Sequence, residues 1–302
     1  MRTEISTSIA GLLRTVELDE ALDTVVSAGF RNLDFPLSVF SRPAGSPLKS
    51  DIWRLWTGKL RETLRDLGLC VTQAHASWEQ AIPQDFIFQS PFPVYRRTIE
   101  ACRMLGCGKL VFHAPLYFFD AHDPSVRSRA LEWNFRWFRE LLPILEDNGV
   151  VAELENIFDY RHVRSPQDPP FLYCSAQDML ELQQGLNSSW VKLCLDTGHA
   201  NISGNDPAQM IRAYGKELDV LHLNDNFGFI QPVYEDLHLF PGHGTVQWKQ
   251  VFEALYETGF DYVLNLVPVG ALARLSKEQR VIQFREAGLL VRQMALEAGF
   301  DA

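Results

Sequence analysis

The amino-acid sequence predicts an α/β fold in which eight strand and helix units close into one (β/α)8 barrel, and three observations lead there. Short apolar runs alternate with longer amphipathic stretches eight times, the periodicity of a parallel sheet covered by helices. Glycine next to an apolar residue recurs just ahead of these runs. The connections after the runs are long, while those before them are short.

Strands are expected near residues 4–9, 31–35, 69–75, 109–113, 150–155, 190–195, 218–223 and 262–267, with helices filling most of the gaps. Lys109-Leu110-Val111-Phe112 and Trp190-Val191-Lys192-Leu193-Cys194-Leu195 are nearly continuous apolar runs, as suits strands covered on both faces. At Gly29, Gly68, Gly106, Gly149 and Gly259 a helix should end, because glycine takes the left-handed backbone of that position without a Cβ clash. No Pro- or Ser-rich linker interrupts the sequence, so residues 1–302 read as a single domain. The long connections are 36–50, 76–91, 114–124, 156–175, 196–206 and 224–246. In a barrel, the loops that follow the strands build the site-bearing face.

Composition narrows the function classes. With 28 Lys and Arg against 38 Asp and Glu, the formal charge is −10, so a global basic footprint is absent and nucleic acid is not an expected partner. A 46% hydrophobic and 22% charged composition is that of a globular chain with a large core. No run approaches the roughly 18 apolar residues of a membrane span, and Met1-Arg2-Thr3-Glu4-Ile5-Ser6 lacks a signal-peptide layout. A cytoplasmic chain with no membrane partner is the expectation. The five cysteines, Cys70, Cys102, Cys107, Cys174 and Cys194, contain no C-x-x-C and read as small buried apolar residues. Trp133 and Trp137, at helical i, i+4 spacing, read as core or as a subunit contact, which leaves room for a homo-oligomer.

The informative side chains stand where the apolar strands run out. Strand three ends in Gln73-Ala74-His75, strand four in Val111-Phe112-His113, strand five in Glu153-Leu154-Glu155-Asn156, strand six in Leu195-Asp196-Thr197-Gly198-His199, and strand seven in Leu221-His222-Leu223-Asn224-Asp225. One strand-end histidine is ordinarily a capped or solvated imidazole. Five metal-competent strand ends at equivalent places argue instead for one shared polar site at the C-terminal mouth. Glu155, Asp196 and His222 combine two hard carboxylates with an imidazole, a set suited to one divalent Mn, Mg, Co or Zn ion. Glu153, two residues before Glu155, shares its side of the sheet. If inward, it lies a layer deeper and needs a partner.

These motifs, with Asp236-Leu237-His238-Leu239-Phe240-Pro241-Gly242-His243-Gly244, resemble in order and spacing the xylose isomerase-like barrel superfamily over nearly the whole chain. That superfamily holds sugar and sugar-phosphate isomerases and epimerases, inosose dehydratases and endonuclease IV. The resemblance implies a metal at Glu155, Asp196 and His222, with Glu155 or His199 moving a proton. It also implies a further carboxylate at the end of strand eight, a place that falls here on Val267. Valine neither ligates nor moves a proton. His75, His113, His199, Asp236 and His238 extend the pattern to eight of the nine ligand places of endonuclease IV's zinc cluster, so they are candidates for further metal or polar contacts. Against a nuclease, the loops after strands three and four are mainly aromatic and acidic, as at Trp78, Phe86, Phe88, Tyr117, Phe118, Phe119 and Asp120.

The function expected from these residues is a metal-dependent sugar or sugar-phosphate isomerase or epimerase acting on a small polyhydroxylated carbonyl compound. Removal of its α proton leaves an enediolate, which a dication would stabilise. Trp78, Arg161 and Asn224 are the expected substrate contacts, Arg161 standing with His162 and Arg164 in a loop able to grip a phosphate or carboxylate. The alternatives are a sugar-binding or regulatory protein with a degenerate metal site and, ranked third, a phosphodiesterase. Gly242-His243-Gly244 follows no strand and reads as a turn rather than a dinucleotide loop.

Overall fold

The computed structural model describes residues 4–41, 45–77, 93–116, 124–158, 171–228, 235–270, 272 and 275–301. Its strands are β1 (Ile5–Ser8), β2 (Asn32–Phe35), β3 (Cys70–His75), β4 (Lys109–Phe112), β5 (Val151–Glu155), β6 (Val191–Asp196), β7 (Leu218–His222) and β8 (Leu264–Leu266). They form a parallel sheet in the order β7-β6-β5-β4-β3-β2-β1-β8. Leu223 N donates to Asn265 O (2.8 Å) and Val267 N to Leu223 O (3.1 Å), which joins the two outer strands and closes the ring. The helices are α1 (Leu18–Ala28), α2 (Trp53–Asp66), α3 (Val94–Met104), α4 (Pro124–Asn148), α5 (Ala176–Leu186), α6 (Thr197–Ile202), α7 (Pro207–Tyr214), α8 (Trp248–Thr258) and α9 (Lys277–Glu297). Gly29, Gly68, Gly106, Gly149 and Gly259 all have positive φ and stand just past α1, α2, α3, α4 and α8.

Strand alternation divides the buried residues into two sets. Leu33, Leu110, Leu154, Leu193, Leu221 and Leu264 face the helices and are at most 1% exposed. This outer shell holds most of the apolar core, Trp133 and Trp137 included. Their neighbours turn into the lumen. There Val111, Cys194 and Val220 make a small apolar plug against Tyr262. Beneath it, Glu153 is fully buried with Lys109 Nζ at 3.7 Å, and Lys109 pairs with Asp219 and lies 4.4 Å from the Tyr262 ring centre. Burial, with the Asp219 charge adding, pushes the Glu153 carboxyl well up against the pull of Lys109.

Three expectations change. The last strand is shorter than 262–267, because Tyr262 turns its hydroxyl across the lumen to donate to Thr72 O (2.7 Å) and the ladder to β1 starts only at Leu264. Residues 196–206 are not all loop. The Asp196 carboxylate caps α6 by accepting from His199 N (2.7 Å), so strand passes into helix with no connection between. Cys70, at the outer end of β3, is exposed, unlike the other four cysteines. Among the described residues no helix is long and apolar enough to cross a membrane.

Candidate metal centre

Glu155 stands at the centre of the mouth, 2% exposed at the end of β5. Its Oε2 lies 3.0 Å from His75 Nε2 and 2.7 Å from His113 Nε2, and its Oε1 lies 2.8 Å from His222 Nδ1. Asp196, fully buried, is 3.9 Å from both His222 Nδ1 and His199 Nδ1. Asp236 sits between the last two imidazoles, 2.9 Å from His238 Nε2 and 3.6 Å from His199 Nε2. The six strand-end candidates thus share one cluster with Asp236 and His238, and all of them but the buried Asp196 line a cavity of about 490 Å³.

Local sequence explains the placement. In Asp196-Thr197-Gly198-His199 the aspartate ends β6 and caps α6, which swings His199 back over the mouth. Position 198 must be glycine, since a Cβ there would lie 1.8 Å from Asn224 Oδ1. Asn224 is expected to contact substrate, but it stands fully buried behind Asp196, donating to Asp196 Oδ2 at 2.7 Å. It orients a carboxylate. Asp225 accepts from Gly242 N, Val246 N and Trp248 Nε1 (2.9–3.0 Å), which fixes Gly242-His243-Gly244 as a turn leading into α8. His238 has φ +44°, a left-handed backbone uncommon for a residue with a side chain, and strain of this kind clusters at functional sites. Trp78, Arg161 and the aromatic residues Phe86, Phe88, Tyr117, Phe118 and Phe119 lie outside the described residues, as do Asp120, His162 and Arg164.

The donor chemistry fits a dication. His75, His199 and His238 each place Nδ1 on a backbone carbonyl, of Ala76 (2.8 Å), Asn156 (2.9 Å) and Val267 (3.0 Å) respectively. With Nδ1–H donated there, each neutral ring presents its Nε2 lone pair to a carboxylate, an arrangement that repels unless a cation or a proton lies between. Three overlapping sets, His75 with His113 and Glu155, Glu155 with Asp196 and His222, and Asp196 with His199 and His238, hold their donor atoms within 4.8 Å of one another. That spacing suits a shared ion at 2.0–2.2 Å, roughly the range of metal–nitrogen and metal–oxygen bonds.

Without a metal, protons do this work. Burial alone would push Glu155 up, but the His222 and His113 charges and their hydrogen bonds outweigh it and hold the carboxyl well below its usual range. Burial opposes charge on His222 too, yet Glu155, with Asp34 and Asp196 adding, raises it to about 9. His199 and His238 are raised in the same way, His199 by Asp196 and Asp236 and His238 by Asp236, while burial dominates at His113 and lowers it. A dication must displace the raised protons, so its affinity should climb as pH rises from 6.5 toward about 9. The metal-free chain should move oppositely. A histidine raised above its unfolded value of about 6.5 stabilises fully below that pH and loses the contribution as pH passes its folded value. Thermal unfolding in chelator should therefore show Tm falling between pH 6.5 and 9.5; a flat or rising Tm would mean these imidazoles are neutral.

The sequence profile of the xylose isomerase-like TIM barrel family matches residues 22–274. The chain belongs to that family. A family relative, the D-psicose 3-epimerase of Enterocloster bolteae, is 28% identical over 222 residues, covering 70% of this chain and 65% of its own length, just under two thirds. Among solved structures, D-psicose 3-epimerase with D-tagatose from Clostridium cellulolyticum H10 superposes with a TM-score of 0.72 at 18% identity, over 97% of this chain and 99% of that one. The IolI protein with a bound zinc atom superposes with a TM-score of 0.69 at 17% identity, covering 98% of each chain. At these identities the structural likeness speaks for the xylose isomerase-like barrel fold alone.

Proposed function

We propose that this chain is a divalent-metal-dependent enzyme of the sugar isomerase and epimerase type, acting on a small polyhydroxylated carbonyl compound. The observation that carries this reading is the triplet of imidazoles anchored through Nδ1 on backbone carbonyls with Nε2 turned to carboxylates, Glu155 for His75 and Asp236 for His199 and His238. The epimerase relative supports it. Glu155, Asp196 and His222 would hold the metal, which when bound supplies Lewis-acid polarisation of a carbonyl and its neighbouring hydroxyl.

The chain's own residues divide the remaining work. Asp196 is locked by Asn224 and by His199 N, so it is a rigid ligand rather than a mobile base. Glu155 is held ionised and engaged on both oxygens, which suits a ligand and leaves it a weak base. His199, beside Asp236 on the cavity wall, is the better placed group to give or take the proton at an enediolate carbon or oxygen. Val267, Val269 and Leu13 line the cavity on the side of β8 and β1, where a substrate's carbon chain can lie. Arg14 also reaches this cavity and can meet a phosphate or carboxylate end. A phosphorylated and unphosphorylated ketose pair tests that: Arg14→Ala should raise KM for the phosphorylated member only.

The decisive experiment is metal content of chain purified without chelator or affinity metal, paired with an activity panel of ketoses, aldoses and inososes. One dication per chain and turnover of a polyol carbonyl compound support the reading. Three overlapping donor sets favour, as a second reading, a phosphodiesterase with several ions. Three zincs per chain with cleavage of a phosphodiester would establish that one instead, and a chain with no metal and no turnover would leave a binding protein.

A further inference from the structure

Three of the histidines at the mouth have their outward nitrogen fixed by a backbone carbonyl, and His222 does not. Its Nδ1 faces Glu155 at 2.8 Å and Asp196 at 3.9 Å, so that is the nitrogen aimed at the carboxylates. Its Nε2 is buried without a hydrogen-bond partner, in a residue 2% exposed. The acid facing Nε2 is Asp34 on β2, with Oδ2 at 3.7 Å. Asp34 is itself 1% exposed, its Oδ1 likewise lacks a partner, and none of the strand-end motifs includes it.

We propose that Asp34 is the positioning residue for His222, doing through its carboxylate what the carbonyls of Ala76, Asn156 and Val267 do for His75, His199 and His238. This rests on the reading that His222 ligates a dication. A neutral imidazole carries one proton, and a ring that gives its Nδ1 lone pair to a metal must keep that proton on Nε2. In a dry lumen an unpaired N–H is costly, so without an acceptor the ring favours the wrong tautomer or turns away. Asp34 supplies the acceptor, and closing 3.7 Å to an ordinary hydrogen bond takes a movement of roughly 0.8 Å.

The barrel holds Asp34 there from behind. Asn265 on β8 donates from Nδ2 to Asp34 Oδ2 at 3.3 Å, and Ser6 on β1 donates to Asn265 Oδ1 at 2.7 Å. A polar chain therefore crosses the lumen from β1 through β8 and β2 to β7, under the candidate metal position. It gives a reason for an aspartate near the end of β2.

The test uses the full chain with zinc alone as probe, measured by chelator competition, and nitrogen-15 NMR of the histidine rings in the zinc-loaded protein. Wild type should show His222 with its proton on Nε2, protected from solvent exchange. Asp34→Ala should lower zinc affinity about 10- to 100-fold, as loss of an outer partner of a ligating histidine does, and abolish that protected proton. Asp34→Asn keeps an accepting oxygen and should lose less, and it decides the matter if Asp34→Ala does not fold. Zinc affinity within twofold of wild type or a still protected Nε2 proton in Asp34→Ala, or an Nε2 proton resonance left unshifted in Asp34→Asn, would overturn the proposal alone. A wild-type chain that takes up no dication would overturn it together with the metal reading.

Discussion

Glu155→Gln is expected to lower affinity for a dication by at least about tenfold, roughly 1.4 kcal/mol, and to abolish most turnover. One carboxylate serves two of the three donor sets, with Oε2 toward His75 and His113 and Oε1 toward His222. Glutamine keeps the shape but removes the charge and turns an N–H toward a nitrogen whose lone pair a metal needs. Stability should change as well. Taking one partner from a buried ion pair costs on the order of 3–5 kcal/mol while the other stays charged. Here the imidazoles can release their protons, so the destabilisation of the metal-free variant should be large near pH 6.5 and shrink as pH rises past the His222 value of about 9. Chemical denaturation at the two ends of that range checks the slope. His222→Ala should lower metal affinity to a similar degree. If neither substitution alters it, the metal is bound elsewhere.

Strand positions were legible because a strand covered on both faces leaves a short apolar run, and a glycine marks where each helix must turn left-handed before it. The boundaries of β4, β5 and β6 fall within one residue of those read from the sequence. The mouth was legible for a related reason: a polar residue at the end of an apolar run has only the C-terminal face to occupy. What escaped were contacts across the lumen. Asp34, in Asn32-Leu33-Asp34-Phe35, looks like the polar member of any alternating strand, and only closure of the ring brings it opposite His222. An acidic residue flanked by two buried apolar ones is the signal that was present. Asn224 misled for the opposite reason, since a strand-end amide looks like a substrate contact until α6 folds Gly198 against it. The helix itself was hidden because its cap, Asp196, already had a role as a candidate ligand.

Val267→Glu should raise dication affinity by at least about tenfold and shift the reaction toward inversion at carbon. Val267 is 6% exposed on the cavity wall, its N–H donating to Leu223 O and its carbonyl accepting from His238 Nδ1. The backbone at this position is therefore pinned at both groups, and a longer acid would project into the cavity from the β8 side. Without metal, that added carboxylate is buried near Asp236 and should destabilise the chain; with metal bound, the loss should be recovered, so the Tm gain on loading becomes larger in the variant than in wild type. The chemical consequence follows from where the groups stand. Inverting a carbon needs one group to remove a proton from one face and another to return it to the opposite face, and in wild type the acids and imidazoles come from β2 to β7 and the segment after it, while β8 offers valine. Carrying a proton between adjacent carbons on a single face needs only one such group. Wild type should accordingly isomerise or dehydrate faster than it epimerises, and Val267→Glu should narrow that ratio. Ketoses, aldoses and inososes followed in deuterated water with wild type, Glu155→Gln and Val267→Glu read both effects. Rapid wild-type inversion at carbon 3 of a ketose, untouched by Glu155→Gln, would show that neither carboxylate governs the chemistry.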